Sequence, residues 1–475
     1  MIPVSAKKRD VMDHMDRMAV ERDKYLKRNY YYYEDLIKML RYNIPEGASV
    51  LEIGCGTGFV LNSLKPLRGV GIDISGEMIK KAKERYPHLE FQQMDSEDIT
   101  LGETFDYILI TDTLIYLEDI QKAFKEMKKV SHPDTRILIT LHNFLWSPIL
   151  GLAEFLKLKM PQKRLNWLSV EDIAGLLYVE NYDVIKQGRR FLVPRYLPGI
   201  SWLFNKFVSQ LPPFNLFCLT EYIIARPLDA TAIAGQKSVS VVIPARNEKG
   251  NIRNAVTRMP QMGEHTEIIF VEGHSGDGTL DEIRNVCEEY RDDWDIKYTV
   301  QDGTGKGDAV RKGFAMAKGD ILMILDADLT VPPEELPKFY DAIAFGKGEF
   351  INGSRLIYPL EKEAMRLLNM AGNKFFSFMF SWILGQRLKD TLCGTKVLSK
   401  KNYERLISNR NYFGEFDPFG DFDLIFGASK LNLKIVEIPI RYQARTYGET
   451  NISRFRHGWL LLKMTLFGMN KIKFN

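Results

Sequence analysis

Val50-Leu51-Glu52-Ile53-Gly54-Cys55-Gly56-Thr57-Gly58 decides the reading of the first half of the chain. A short strand-like run ends in three glycines at alternate positions, and an apolar helical pattern follows. Glycine in such a turn lets backbone amides approach a ligand with no Cβ in the way. Working outward, Val70-Gly71-Ile72-Asp73 reads as the next strand and delivers a carboxylate where doubly wound nucleotide folds hold ribose hydroxyls. Further strands are expected at Tyr107 to Ile110 and Ile137 to Leu141. Between them, Ser75 is expected to cap a helix with Met78, Ile79, Ala82 and Tyr86 on one face. The spacing Gly-x-Gly-x-Gly differs from the Gly-x-Gly-x-x-Gly that dinucleotide binders place beside a pyrophosphate. The expected ligand is therefore a nucleoside without phosphates.

A second strand and helix series begins beyond a small, polar, aperiodic stretch near Pro227 to Lys237. The expected division is a first domain at 1–228, a linker at 229–237 and a second domain at 238–475. Strands are expected at Val239 to Ile243, Ile268 to Val271 and Ile321 to Leu325, the first stopping at Pro244. A helix with the stripe Leu280, Ile283, Val286, Cys287 and Tyr290 should open on a capping box of Thr279 and Glu282. Strands alternating with helices predict parallel sheets covered on both faces, so both halves should be α/β. Four loops carry chemistry: Pro244 to Glu248, Glu272 to Thr279 and Asp326-Ala327-Asp328 at the strand ends, and Gly305-Lys306-Gly307-Asp308 near the same edge. Two carboxylates at i and i+2 leaving a strand suit a hard divalent cation, Mg2+ or Mn2+, that also takes diphosphate oxygens.

The 475 residues exceed what one hydrophobic core usually serves, and 45% hydrophobic with 27% charged is globular composition. Lys+Arg 65 against Asp+Glu 61 leaves +4, too balanced for a protein that coats nucleic acid, so no nucleic-acid partner is expected. Cys55, Cys218, Cys287 and Cys393 form no CxxC pair and point to a reducing, cytoplasmic setting without disulfides. Lys7, Lys8, Arg9 and Asp10 precede no signal-like apolar core, and Phe375 to Leu384 is too short to span a bilayer. A soluble chain, or one lying peripherally on the cytoplasmic face of a membrane, is expected.

Over roughly Tyr31 to Pro227 these residues resemble the class I S-adenosylmethionine-dependent methyltransferases, with Phe105-Asp106-Tyr107 opening the fourth strand. The resemblance implies a Rossmann-like sheet. It also implies that Glu52, Gly54, Gly56 and Gly58 hold the methionine part, Asp73 the ribose and Asp95 the adenine amino group, while Asp112 lines the methyl-transfer cleft. No residue stands out as a base, and in-line placement is the main requirement. The apolar segment Phe191 to Phe217 reads as a lid or domain interface, with a membrane-touching or lipid-acceptor role as the alternative.

From roughly Val239 to Phe474 the chain resembles family-two inverting glycosyltransferases of the GT-A fold, nearest the dolichyl-phosphate mannose synthases and polyprenyl-phosphate glycosyltransferases. The resemblance implies Pro244, Glu248 and Glu272 at the nucleotide, Lys306 and Arg355 at the diphosphate, and Asp326 with Asp328 at the metal. It adds Asp390 and Arg445 as catalytic candidates, with Cys393-Gly394-Thr395-Lys396, Glu437-Ile438-Pro439-Ile440 and Gly448-Glu449-Thr450 as motifs. Two departures stand out: Gly273 replaces a second acid after Glu272, and Asn451 replaces a lysine, for which Arg445 or Arg454 could substitute.

The expected activity is glycosyl transfer from a nucleotide-sugar to a polyprenyl phosphate, joined to methylation of an unassigned acceptor. Aromatic residues between Arg366 and Lys389, and the cation-rich stretch from Arg441, read as interfacial segments or as core filling. The alternative acceptor is a sugar hydroxyl, which needs a base among Asp390, Asp421 and Asp423, with the first domain then a non-catalytic S-adenosylmethionine-binding module.

Overall fold

A computed structural model describes residues 5–163, 165–166, 168–228, 237–355, 367–409, 421–448 and 454–474, with side chains left undescribed at 367–371, 373, 421 and 454–457. The chain divides into two compact units, with the main boundary in sequence after Leu228.

In the first unit the strands are β1 (Ser49–Ile53), β2 (Arg68–Asp73), β3 (Glu90–Gln93), β4 (Phe105–Thr111), β5 (Ser131–His142), β6 (Tyr182–Arg190) and β7 (Thr220–Pro227). They form one sheet in the order β3-β2-β1-β4-β5-β7-β6. The expected strands lie inside β1, β2, β4 and β5. Their interior residues are buried because helices cover both faces, so they read as continuous apolar runs. The expectation of a wholly parallel sheet needs correction: β7 runs antiparallel to β5 and to β6. Residues 191–219 stay at one end of the sheet, where Arg190 lies opposite Thr220, so β7 runs back between β6 and β5. Ser75 caps the helix Gly76–Arg85, accepting from Met78 N–H at 3.2 Å, and Met78, Ile79 and Ala82 are buried.

Three helices precede β1, at Ala6–Ala19, Arg22–Arg28 and Tyr30–Asn43. No strand-and-loop motif announced them. The first is fastened to the sheet's ligand edge: Asp16 accepts from the Ser75 hydroxyl and from Glu77 N–H, and Lys81 Nζ donates to the Ala19 carbonyl at 2.9 Å.

The second unit contains β8 (Val239–Ala245), β9 (Thr266–Glu272), β10 (Asp295–Val300), β11 (Ile321–Ile324), β12 (Phe350–Ser354), β13 (Lys396–Ser399) and β14 (Ile435–Pro439). Their order is β10-β9-β8-β11-β13-β12-β14, and β13 is antiparallel to both neighbours, so this sheet is mixed as well. The reversal has a local cause. Asp390 to Thr395 first lies at the ligand edge, and the chain then leaves that edge through β13.

Strand β8 runs one residue past Pro244. Its partner β11 ends opposite Val242, so the missing proline N–H forfeits no ladder bond on that side. The expected capping box is also corrected. Gly278, at φ 85°, precedes the helix Thr279–Glu289, and the Asp277 carboxylate takes both the Thr279 N–H and its hydroxyl. An ionised carboxylate two residues back thus takes the Thr279 N–H that Glu282 would accept in a capping box. Ile283 and Val286 are buried, with Cys287 and Tyr290 packed against the same core.

All four cysteines are free thiols. Among the described residues, no helix is long and apolar enough to cross a membrane. The helix Leu367–Leu384 divides its aromatics. Phe380 packs on Phe422 and Phe426 at ring distances of 5.1 and 5.7 Å, whereas Phe375 and Phe378 are exposed. On Arg454–Gly468, Leu461 and Met464 are buried while Trp459 and Leu466 face outward. Each segment thus serves the core on one face only.

Candidate functional site

The first site lies at the carboxyl ends of β1, β2, β4 and β5. Gly54, Gly56 and Gly58 all have positive φ, 75°, 52° and 74°, a region that strongly favours glycine. A Cβ at Gly54 would also run into the Thr113 side chain, and one at Gly58 would lie 2.6 Å from the Phe91 ring. Asp73 accepts from Gly56 N–H and from Ser75 N–H, each at 2.9 Å, so one carboxylate fixes the glycine loop and the next helix together. Burial pushes its pKa up, partly opposed by those two amides.

Glu52 is buried, accepting from the Thr111 hydroxyl at 2.9 Å and from Leu61 N–H at 3.0 Å. Burial raises its carboxyl to about 8, so it is largely protonated at neutral pH. An acid raised on folding takes up a proton, so its stabilising contribution is fully present below the unfolded value of 4.5 and is lost as pH rises through about 8. Glu52→Gln is expected to flatten this dependence, because the amide can accept from Leu61 and donate to Thr111. Thermal unfolding of parent and variant between pH 6 and 9 checks it. The parent should lose stability across that range, and an equal slope in both proteins would contradict the assignment.

Asp95 accepts from Glu97 N–H at 2.9 Å and from Lys8 Nζ at 2.5 Å, and Lys8 also meets Glu97 at 2.7 Å. Desolvation lowers the Lys8 ammonium, but the two carboxylates outweigh it and its pKa is raised. Asp112, held at φ 54°, accepts from the Tyr32 hydroxyl at 2.6 Å and from Thr140 at 3.2 Å. His142 Nε2 lies 3.8 Å from the same carboxylate, and its ring stacks on Tyr32 at 5.5 Å. Burial, then Asp112, raises the Tyr32 phenol well above its ordinary range, so it stays protonated as a donor.

These groups line a cavity of about 750 Å³ together with Arg22. That volume is within the range of a cofactor or drug-sized ligand site. Thr57 Oγ1, on the glycine loop, is buried without a partner. A polar atom orphaned on a cavity wall, beside loop amides and Asp73, fits a polar nucleoside ligand. Sequence reasoning brought Glu52, Gly54, Gly56, Asp73, Asp95 and Asp112 to this cavity, placed Gly58 there although it does not line the wall, and missed Lys8, Arg22, Tyr32 and His142. The run Tyr30 to Tyr33 was the available signal for the helical cover, since four consecutive tyrosines cannot all face solvent usefully. His142 had none beyond ending a strand.

The second site lies at the ends of β8, β9 and β11. Lys306, the first residue of the helix Lys306–Met316, meets Asp326 at 2.6 Å. Burial alone would raise Asp326, but Lys306, with Lys396 and Arg355 further out, holds it below the ordinary carboxylate value. Asp328 accepts from Thr330 N–H at 3.1 Å and its hydroxyl at 2.8 Å, and from Arg445 at 2.7 Å. Arg445 also pairs with Glu248 at 2.8 Å. One guanidinium thus joins the Glu248 carboxylate to the second acid of the Asp-x-Asp pair. Burial raises Glu248, offset in part by Arg445 and by Asn251, which donates at 2.8 Å.

Glu272 is buried and accepts from His274 N–H at 3.1 Å and Ser275 N–H at 2.6 Å, bracing the loop that follows. Gly273 N–H donates to the Ala245 carbonyl at 2.8 Å, tying this loop to the end of β8 beside Pro244. Gly394 brings backbone against Asp326 and Lys306: an added Cβ would overlap the Asp326 carboxylate and sit 2.5 Å from Lys306 Nζ.

Asp390 is fully buried, and Arg355 grips it through Nε at 2.7 Å and Nη2 at 2.8 Å, while Arg355 N–H and Leu392 N–H add bonds of 3.0 Å each. Both of its oxygens are engaged within the protein, contrary to the exposure a general base needs. Asp423 is buried on the helix Asp421–Lys430. The Asp421 side chain, Glu449, Thr450, Asn451, the Arg454 side chain and Arg366 lie outside the described residues. Lys396, buried with Nζ donating to the Cys393 carbonyl at 2.5 Å, was legible only as part of a motif.

Among the described residues, no group of three or more His, Cys, Asp or Glu side chains is arranged for a metal. Two hard carboxylates are nonetheless the usual protein share for Mg2+, whose other positions go to phosphate oxygens and water. Here Lys306 and Arg445 meet the charge of Asp326 and Asp328, so a cation held by the pair would have to bring its own counter-charge.

Comparison with known proteins finds a match within each unit. Residues 240–407 match the family model Glycosyl transferase family 2, and residues 44–175 match a Methyltransferase domain model. A dolichol-phosphate mannosyltransferase from Saccharomyces cerevisiae is 37% identical over 110 residues, 22% of this chain and 40% of that protein. One from Pyrococcus furiosus is 29% identical over 237 residues, 47% of this chain and 64% of its own length. The chain thus spans less than two thirds of either relative. A SAM-dependent methyltransferase structure from Thermotoga maritima aligns over 46% of this chain and 99% of its own, with 17% identity and a TM-score of 0.37. The chain joins a methyltransferase domain to a glycosyl transferase family 2 domain.

Proposed function

We propose that the second unit transfers a sugar from a nucleotide-sugar to a polyprenyl phosphate with inversion, and that the first unit transfers a methyl group from S-adenosylmethionine. The observation that carries the glycosyl half is the chain of charge from Glu248 through Arg445 to Asp328, beside Asp326 and Lys306. Such a row of alternating acids and cations suits a nucleoside diphosphate.

In this reading, Asp326 and Asp328 would hold a divalent ion, Mg2+ or Mn2+, which supplies Lewis-acid charge on the diphosphate. Lys306, Lys396 and Arg355 receive the negative charge left when the anomeric carbon parts from that diphosphate. The attacking phosphate oxygen is already ionised, because a phosphate monoester has its second pKa near 6, so no protein base is required. The enclosure of Asp390 by Arg355 supports this acceptor over a sugar hydroxyl. Asp390 is then a positioning residue that aims Arg355.

In the first unit, Gly54 to Gly58, Glu52 and Asp73 would hold the methionine and ribose parts of S-adenosylmethionine, which supplies an electrophilic methyl group. Asp95, once released from Lys8, would receive the adenine amino group. Asp112, Tyr32 and His142 stand where a proton leaving the acceptor can be held.

Purified protein given nucleotide-sugar, Mg2+ and a short-chain polyprenyl phosphate should form a lipid-linked glycosyl phosphate. Asp328→Asn, and excess chelator on the parent, should each lower turnover at least 10²-fold, roughly the cost of losing one main electrostatic element. Full activity in chelator would remove the metal, and transfer to sugar hydroxyls alone would replace the lipid acceptor.

A further inference from the structure

The first unit presents an apolar surface built from two separate segments. The helix Ser147–Phe155 and the turn before it expose Phe144, Ile149, Leu152 and Phe155, the last at 83%. Residues 191–219 expose Tyr196, Ile200, Trp202, Phe214 and Phe217, with Trp202 at 58%. Hydrogen bonds join the two segments. Asn143 donates to the carbonyls of Leu216 and Cys218 at 2.9 and 3.0 Å, and Trp146 Nε1 donates to the Phe217 carbonyl at 2.8 Å. Lone exposed apolar residues are ordinary, but a continuous aromatic and aliphatic patch marks a binding face.

The same segments reach the cofactor cavity. Ile149, Leu158 and Tyr196 are exposed and also line the cavity, so the cavity meets the outside within the patch. The sequence reading gives a lid or domain interface, or a membrane-touching or lipid-acceptor role, for Phe191 to Phe217. Outward exposure at the rim goes against a closed lid.

Charge indicates what the patch meets. Residues 143–160 and 191–219 contain Lys157, Lys159, Arg195 and Lys206 and a single carboxylate, Glu154, which is paired to Lys159 at 3.0 Å. Lys206 also lies over the Trp202 ring at 5.9 Å. Aromatic and aliphatic side chains framed by cations match the boundary between acyl chains and anionic headgroups.

We propose that this surface docks the first unit on an anionic bilayer and that the methyl acceptor enters from that bilayer as a hydroxyl-bearing lipid or lipid-linked group. The proposal rests on reading the first unit as an S-adenosylmethionine-dependent methyltransferase. In the step itself, the acceptor oxygen forms a bond to the methyl carbon and the carbon–sulfur bond breaks with its electron pair kept by sulfur. The hydroxyl proton passes to His142, beside Asp112, and S-adenosylhomocysteine is left.

The test uses the full chain with vesicles of phosphatidylcholine and phosphatidylglycerol, followed by hydrogen exchange. Vesicles should slow exchange across 144–158 and 195–217, less so at high salt. The double variant Phe155→Glu with Trp202→Glu should lower vesicle partition at least tenfold while leaving S-adenosylmethionine affinity unchanged. Protection confined to Leu367–Leu384 and Arg454–Gly468 would overturn the docking surface. So would protection of the patch without vesicles that rises with protein concentration, which would mean a second copy covers it.

Methyl-labelled S-adenosylmethionine and a lipid extract of the cells that make the protein then test the acceptor. Label in the organic phase supports it, and label only in water-soluble material overturns it. Calorimetry on the same samples separates the two readings: no S-adenosylmethionine binding, with vesicle protection intact, would remove methyl transfer and the lipid acceptor with it.

Discussion

Gly394→Ala is expected to lower glycosyl transfer about 10³-fold, the upper end of what losing one preorganised electrostatic group costs. Gly394 is not among the positive-φ glycines, so alanine brings no backbone strain of its own. What it brings is a methyl group inside the contact distance of the Asp326 carboxylate and 2.5 Å from Lys306 Nζ. Neither neighbour can yield and keep the pair: Lys306 Nζ can swing aside on its flexible stem and the Asp326 carboxylate can turn, but either motion opens their 2.6 Å contact. The methyl group must therefore part the ion pair or push β13 out of register. Turnover and Mg2+ dependence should be measured beside thermal unfolding. Lost turnover with a transition within a few degrees of the parent's would locate the damage at the pair, and near-parental turnover would show that the close approach is not needed.

Asp73→Ala should weaken S-adenosylmethionine binding at least 10²-fold and leave nucleotide-sugar hydrolysis unchanged. Two losses combine at one carboxylate. The ribose loses its expected acceptor, and the amides of Gly56 and Ser75 lose the group that fixes the glycine loop against the next helix. A charge-assisted acceptor of two amides is worth about 1.5–3 kcal/mol per bond, so two bonds are ample for the stated factor. Asp73→Asn, which retains one carbonyl acceptor, should fall between alanine and parent. Calorimetric titration of the three proteins with S-adenosylmethionine checks the order, and equal affinity throughout would refute the ribose assignment.

The parts legible in the sequence are those in which neighbours along the chain are also neighbours in space. A strand that ends in glycines, as at Gly54 to Gly58, brings its own ligand edge with it, and the same holds for Asp73 and for Asp326-Ala327-Asp328. Their periodicity and turn chemistry are local. Strand direction was less legible: the apolar centres of β7 and β13, Ile223 to Ala225 and Val397-Leu398, would suit either direction, and only their position among neighbours chose antiparallel pairing.

By itself the sequence determined two α/β units, the loops that line their ligand edges and the carboxylates those loops carry, because hydrophobic period and glycine placement act over a few residues. Only the tertiary structure decided which charges meet. Arg445 pairs with Glu248 and Asp328, 197 and 117 positions away, and Lys8 reaches Asp95 across 87. It also decided that Asp390 is spent on Arg355, 35 residues earlier, and that Tyr32 and His142 share Asp112. The physical reason is burial. A carboxylate taken out of water must find a cation or donor, and the one it finds depends on which elements the fold packs over it.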